Sequence, residues 1–425
     1  MIVFRITYVI MAIILMLYTV KRRLDLITVC SACFIVYSIY CMFGIGISGF
    51  YRPKLSQQLY YLIYCQIIII LLFSIITHHQ EKRSLEKNPM LHEKTAIDDK
   101  PINKRLDYSF YVYTAIIVVF ALVNIVQIGL TGFISGKSEV WEQSNILYLI
   151  SLYGAYPSFA YGIHNKKKWI WIPSLFVELT IFFAGSRAFL TTMIIIFMCE
   201  YGSTLWKNRK SNIKIFVFGG LTIVFLLIYR MVDQSIMAGD LNGVVQTLSN
   251  PATWATALEF NEPRVIIANY DYVLTSGIRL PIGDIIYRLI DFIPGLTTLF
   301  SIKLKYPEYF STWLEASVNG SAGVGGSIWG ESYAMFGAFG VFVFTLIWLI
   351  FVKKCNKHLN YPKTYSYFIV SLGSYLAWYI NRLDFNRVGQ ACKVMLFCFL
   401  LWAFIYLILG GTIYTYKYKI RLNKT

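Results

Sequence analysis

Apolar stretches close to 20 residues long recur from one end of this chain to the other, and that recurrence leaves few folds open. Each stretch, wound as a helix at 1.5 Å per residue, is long enough to cross the roughly 30 Å hydrocarbon core of a bilayer. Only 14% of the 425 residues are charged, where a soluble domain carries about a quarter. The chain reads as an all-α polytopic membrane protein. Eleven spans are expected, near residues 2–20, 26–48, 58–77, 108–130, 145–163, 169–184, 188–205, 215–231, 332–352, 364–381 and 394–414.

A formal charge of +17 fits nucleic acid, anionic lipid or simple topology until the charges are placed. The triplets Lys21-Arg22-Arg23 and Lys166-Lys167-Lys168, with Lys353, Lys354 and Lys357, fall on one side only when the N-terminus lies outside and the C-terminus inside. In that orientation the inner loops and flanks hold 25 of the 39 Lys/Arg and 8 of the 22 Asp/Glu, and the outer ones hold 14 of each. The inner excess is the whole net charge. It therefore reports the positive-inside bias and excludes a nucleic-acid partner, which would need a basic soluble domain. Met1 opens a full-length apolar span that ends in basic residues, the reverse of a signal peptide's order, so an uncleaved first helix is expected.

Eight cysteines give no disulfide framework, since most of them sit inside apolar spans; the Cys30-x-x-Cys33 spacing lacks further ligands and reads as packing. All five histidines fall in inner loops, which excludes a His-based zinc site on the outer face. No cofactor or metal is expected, and no Walker loop, GxGxxG or G-x-S-x-G elbow is present.

Three regions follow: residues 1–231 with eight spans and a cytoplasmic connector at 78–107, a large extracytoplasmic loop at 232–331, and residues 332–425 with three spans and a basic tail. The connector has mixed charge and few large apolar residues, as solvated linkers do. The outer loop carries ten of the fourteen outer acidic groups together with aromatic residues and periodic apolar positions, so it is expected to fold and to hold the site. Within it Ile285, Ile286, Leu289, Ile290 and Ile293 fall at helical spacing, with Asp284, Arg288 and Asp291 on another face; this predicts a short amphipathic helix at the membrane surface, stopped by Pro294-Gly295. A second helix is expected to open at Asn250-Pro251 and to carry Trp254, Leu258, Glu259 and Glu262.

Four constellations have the residues for chemistry. Gly185-Ser186-Arg187 joins two spans and puts one guanidinium at the outer water boundary, where it either binds an anion through its planar fork or snorkels and pairs with Glu178. Glu259-Phe260-Asn261-Glu262-Pro263-Arg264 is followed by Arg279 and Arg288, each with a carboxylate nearby in sequence. These arginines suit a diphosphate whose charge grows as a glycosidic phosphate bond breaks, and they equally suit solvated ion pairs. Gly326 to Gly337 brings clustered glycines and Glu331 to the outer edge of an apolar helix, where the carboxylate serves as a general base or simply favours the helix dipole. Arg382, Asp384 and Arg387 add a small cluster between the last two spans.

Taken together, the Gly185-Ser186-Arg187 hairpin, EFNEPR at Glu259–Arg264, LPIGDIIYRLIDFIP at Leu280–Pro294 and GSIWGESYAMFG at Gly326–Gly337 resemble the O-antigen polymerases, the Wzy-type oligosaccharide repeat unit polymerases. The layout of many spans with one large outer loop before the last few is similar to that family as well. The resemblance implies a glycosyltransferase of the bacterial cytoplasmic (inner) membrane that joins undecaprenyl diphosphate-linked oligosaccharides without a metal. A sugar hydroxyl of one repeat unit would attack the anomeric carbon of another, and undecaprenyl diphosphate would leave. On this resemblance Arg187, Arg264 and Arg288 would receive the diphosphate, with Arg279 next. Glu331, Glu259 or Glu262 would accept the proton, and Tyr333 would contact sugar. A chain-length regulator protein and the lipid bilayer are the implied partners. An O-antigen ligase is the nearest rival, although many ligases carry a loop histidine and no outer histidine exists here. A lipid-linked oligosaccharide flippase is the second rival; it would need no folded outer loop and would set its charges in a central cavity.

Overall fold

The computed structural model describes residues 2–21, 24–47, 54–87, 104–135, 145–183, 187–205, 228, 231–232, 235–236, 239–254, 261–300, 302–317, 325–360 and 364–422. Among them there are only helices, turns and one isolated bridge between Ile45 and Lys54. In chain order we label α1 Ile2–Lys21, α2 Leu26–Ser38 with a 3-10 turn at Ile39–Met42, α3 Gln57–Lys87, α4 Lys104–Ser135, α5 Ile146–His164, α6 Lys168–Phe183, α7 Arg187–Leu205 and α8 Leu241–Ser249. There follow α9 Glu262–Ser276, α10 Ile282–Ile290, α11 Leu296–Phe300, α12 Phe310–Ser317, α13 Ile328–Asn360, α14 Ser366–Tyr379 and α15 Phe385–Leu422.

Among the described residues six segments are long and apolar enough to cross a membrane: Ile2–Thr19, Gln57–Gln80, Lys104–Gly129, Ile146–His164, Ile328–Leu359 and Phe385–Leu409. Leu26–Met42 and Phe189–Tyr201 are shorter apolar helices. The protein is thus a helical, multi-pass membrane protein. Of the remaining expected spans, 169–184 and 364–381 appear as the short helices α6 and α14, and nearly all of 215–231 lies outside the described residues. The connector expected at 78–107 is partly helical, because α3 runs on to Lys87 and α4 begins at Lys104. A break at Gly337 (φ 66°, ψ −155°) divides α13 into a short first piece and a longer second one. Only glycine takes that backbone conformation at little cost.

Packing divides the chain into two compact units that interleave along the sequence, which differs from the three regions expected from span order. Unit 1 comprises Met1–His78, Tyr201–Lys357 and Gly373–Lys393; unit 2 comprises His79–Glu200, His358–Leu372 and Val394–Thr425.

In unit 1 the polar tethers collect at two levels. At one, Asp25 caps α2 by accepting from the Thr28 N–H at 2.8 Å, and Asn356 bridges the Asp25 carboxylate (2.9 Å) and the Leu26 N–H (3.2 Å). At the other, buried Asp271 of α9 accepts the Ser56 N–H just ahead of α3 at 3.1 Å, and Asn269 donates to the Gly325 carbonyl at 2.7 Å. Between the levels the packing is mainly apolar, with one buried polar tie where the Gln66 amide of α3 donates to the Thr345 hydroxyl of α13 at 3.3 Å.

Unit 2 has an aromatic core. Phe110 of α4 stacks on Tyr161 of α5 with centroids 3.9 Å apart, Phe368 and Trp402 close around it, and the Trp402 indole donates to Ser109 at 3.1 Å. Its charged contacts gather at one end: Lys167 pairs with Asp107 at 3.0 Å, His164 meets Glu200, and Arg105 donates to the Tyr406 carbonyl at 2.9 Å.

Candidate functional site

The candidate side chains of unit 1 gather around the start of α9. Asn261 sits in extended backbone ahead of the helix and its side chain accepts from the Arg264 N–H at 3.1 Å, the usual work of an N-cap. Pro263 follows in the first turn, where its missing N–H leaves no helix bond unmade. Glu262 in that same turn is favoured by the helix dipole. This corrects the expected helix from Asn250 through Glu262: helix is present at 251–254, residues 255–260 lie outside the described residues, and a separately capped helix starts at Glu262. Glu259 falls among the undescribed residues.

Glu262 is the hub of a half-exposed cluster. One carboxylate oxygen accepts from Arg382 at 2.5 Å and the other from the Tyr37 hydroxyl of α2. Arg382 lies in the turn between α14 and α15 and also reaches the Tyr379 hydroxyl at 3.2 Å. Its side chain is 24% exposed and that of Glu262 32% exposed. Burial works against the Arg382 charge, but Glu262 more than restores it, so its pKa stands above the ordinary arginine value. Arg264 forks onto the Gly46 carbonyl at 3.1 and 2.7 Å and lies 6.0 Å over the Tyr40 ring, whose hydroxyl also meets Asn261. Two guanidiniums, one carboxylate and three phenols thus line one level of unit 1.

Arg288 and Glu331 are brought together for another purpose. The Arg288 Nε donates to Glu331 at 2.6 Å, and Nη2 and Nη1 donate to the Pro307 and Asp284 carbonyls at 2.8 and 3.3 Å. The second oxygen of Glu331 accepts the Phe385 N–H at 2.7 Å, in the first turn of α15. Both side chains are 0% exposed. With both oxygens bonded and no face turned to solvent, Glu331 braces α10, α13 and α15. Its expected role as a general base, and the expected grip of Arg288 on a diphosphate, do not fit this geometry.

The brace depends on close backbone approach. A side chain at Gly326 would meet the Asp384 N at 3.1 Å, so any larger residue there must push the 382–384 turn back by a few tenths of an ångström. Asp384 in turn caps α15 by accepting the Arg387 N–H at 3.0 Å and holds α12 through the Ser311 hydroxyl at 3.1 Å.

Arg279 is exposed and lies 4.5 Å over the ring of Tyr333, whose hydroxyl accepts from Gln58. Arg187 belongs to unit 2, where it opens α7; its side chain, like Gly185 and Ser186, lies outside the described residues. A small cavity beside the cluster is lined by Tyr37, Tyr270, Ser327, Trp329 and Asn381, and the Tyr270 hydroxyl and Asn381 amide nitrogen are buried there without a partner among the described residues. Among the described residues no three His, Cys, Asp or Glu side chains gather to hold a metal ion.

Tyr37 and Tyr40 were not singled out from sequence, and Arg382 was named only in the local cluster with Asp384 and Arg387, not as the partner of Glu262. No protein-family model, curated protein or solved structure matches the chain.

Proposed function

We propose that the protein is a glycosyltransferase that polymerises undecaprenyl diphosphate-linked oligosaccharide repeat units on the outer face of a bacterial cytoplasmic membrane. In this reading eleven spans cross the bilayer with the N-terminus outside, and residues 232–331 form the large outer loop. The separation of Asp25 and Asn356 from Ser56, Asp271 and Gly325 in unit 1 supports that sidedness, because it sorts the same loops as the positive-inside count.

The observation that carries the reading is the half-exposed Glu262–Arg382 pair with Arg264 beside it on α9. A departing diphosphate needs fixed positive charge more than it needs a proton, and Arg forks match its oxygens. Arg264 and Arg382 would receive it, with Arg187 and exposed Arg279 as further cations. Glu262, the carboxylate of the cluster, would take the proton of the attacking sugar hydroxyl once substrate draws Arg382 away from it. Half-buried Tyr40 and Tyr379 offer ring faces and hydroxyls to sugar, whereas the sugar contact expected of Tyr333 does not fit its 7% exposure, and Tyr37 is buried at 4%.

Deleting the gene in its host and running the surface polysaccharide on a gel tests this. Single repeat units capped on core are expected. Bare core would point to a ligase or flippase instead, and an unchanged ladder would overturn the proposal.

A further inference from the structure

Helix α10 is turned inside out for a helix packed against a protein. Its charged face points inward, with Asp284 1%, Arg288 0% and Asp291 4% exposed. Its apolar stripe points outward: Ile282 is 70% exposed, Ile286 44%, Leu289 41% and Ile293 just beyond it 55%. The steps of four, three and four residues put these on one line along the helix.

Three contacts fix the level of this segment. Arg288 bonds Glu331, and the Ser332–Val352 run that follows contains no charged residue. Asp291 accepts from Lys393 at 2.8 Å, and the Val394–Tyr416 run that follows is likewise uncharged. Upstream, the Leu280 N–H donates to the Ala334 carbonyl at 3.0 Å, a carbonyl that the break at Gly337 withdraws from its usual helical partner. Each anchor therefore stands close to where an uncharged run of α13 or α15 begins. Because the segment is tied near such starts at 280, 288 and 291, α10 stays at the boundary rather than crossing the bilayer.

We infer that residues 280–293 are an in-plane membrane segment whose Ile282–Ile286–Leu289–Ile293 stripe is sunk among the acyl chains of one leaflet. Apolar side chains of interfacial helices reach about 5–10 Å below the headgroups. The stripe continues in exposed Leu299 and Phe300 of α11 and, on α13 past its own anchor, in Phe336 and Phe339. The headgroup side carries two exposed lysines, Lys303 and Lys305, and one exposed carboxylate, Glu308, which bonds Tyr287 of α10. Asp284 accepts the backbone N–H groups of Lys305 and Tyr306 at 2.9 Å each, which ties exposed Lys303 and Lys305 to the polar face of α10, where anionic phosphates would meet them. This inference stands on the membrane-spanning character of the chain and not on glycosyl transfer.

The test uses the full chain, with Cys65→Ser and Cys392→Ser to remove the two half-exposed thiols, reconstituted in phosphatidylcholine–phosphatidylglycerol vesicles. A nitroxide is placed at Ile286→Cys, at Ile282→Cys and, as the water-facing control, at Ser276→Cys, an exposed position at the end of α9. Positions 282 and 286 should collide with oxygen several-fold more than with a water-soluble nickel chelate, and position 276 should show the reverse. Chelate access at 286 equal to that at 276 would overturn the inference. So would protection at 282 and 286 that vanishes when the protein is diluted with empty lipid, since that outcome assigns the stripe to a second copy of the chain.

Discussion

Two ion pairs hold the same turn of unit 1, and they differ in almost every physical respect. Glu331 takes the backbone N–H of Phe385 and the guanidinium of Arg288 with no exposure on either side chain. Three residues earlier, Arg382 reaches Glu262 with about a quarter to a third of each side chain open. Buried charges are stable only while every partner is present, and removing one leaves the other stranded in a low dielectric. A half-exposed pair can open to a ligand, because water compensates both partners when it does. The difference teaches which arginines a charged substrate could use: those whose release from their partners is cheap.

The contrast is broken most directly at the brace. Arg288→Ala should lower stability by about 3–5 kcal/mol, read as loss of monodisperse protein on heating, and Arg288→Met with Glu331→Leu should recover part of it. Wild-type stability in Arg288→Ala would mean the brace is not one. At the open pair, Arg382→Ala and Glu262→Gln should change stability by only about 0–1 kcal/mol while reducing polymer formation about 10²–10³-fold in membranes supplied with lipid-linked repeat units. If Arg382→Ala proves as destabilising as Arg288→Ala, the two pairs are alike and the comparison fails. Gly326→Ala sharpens the link between them: crowding the Asp384 backbone should cost about 1–3 kcal/mol by thermal denaturation, and a variant as stable as the parent would show that the turn can yield.

Much of this was legible in the residues. The helical, multi-pass character of the chain followed from apolar length. The stripe of α10 was readable too, although Ile285, assigned to its apolar face, turns inward at 6% exposure. Roles were harder to read. Arg288 and Arg264 look alike in sequence, each an arginine near a carboxylate, yet one is wholly buried and the other half-buried, and burial is a property of the packed chain. Arg382 meets Glu262 across 120 residues, a separation that no local pattern encodes. The start of α9 was a missed signal: Asn261-Glu262-Pro263 is a cap followed by a proline, and it marks a new helix rather than the continuation of an earlier one.

The anchoring of α10 also bears on how the chain is made. Arg288 is synthesised 43 residues before Glu331, and Asp291 is synthesised 102 residues before Lys393. Until α13 and then α15 leave the ribosome and enter the bilayer, the charges of α10 lack these two counterparts, so the segment can be seated only after α15 has been made. Helix α15 is therefore the latch that closes this level, and a chain cut before Lys393 would leave α10 with its carboxylate at 291 short of its cation.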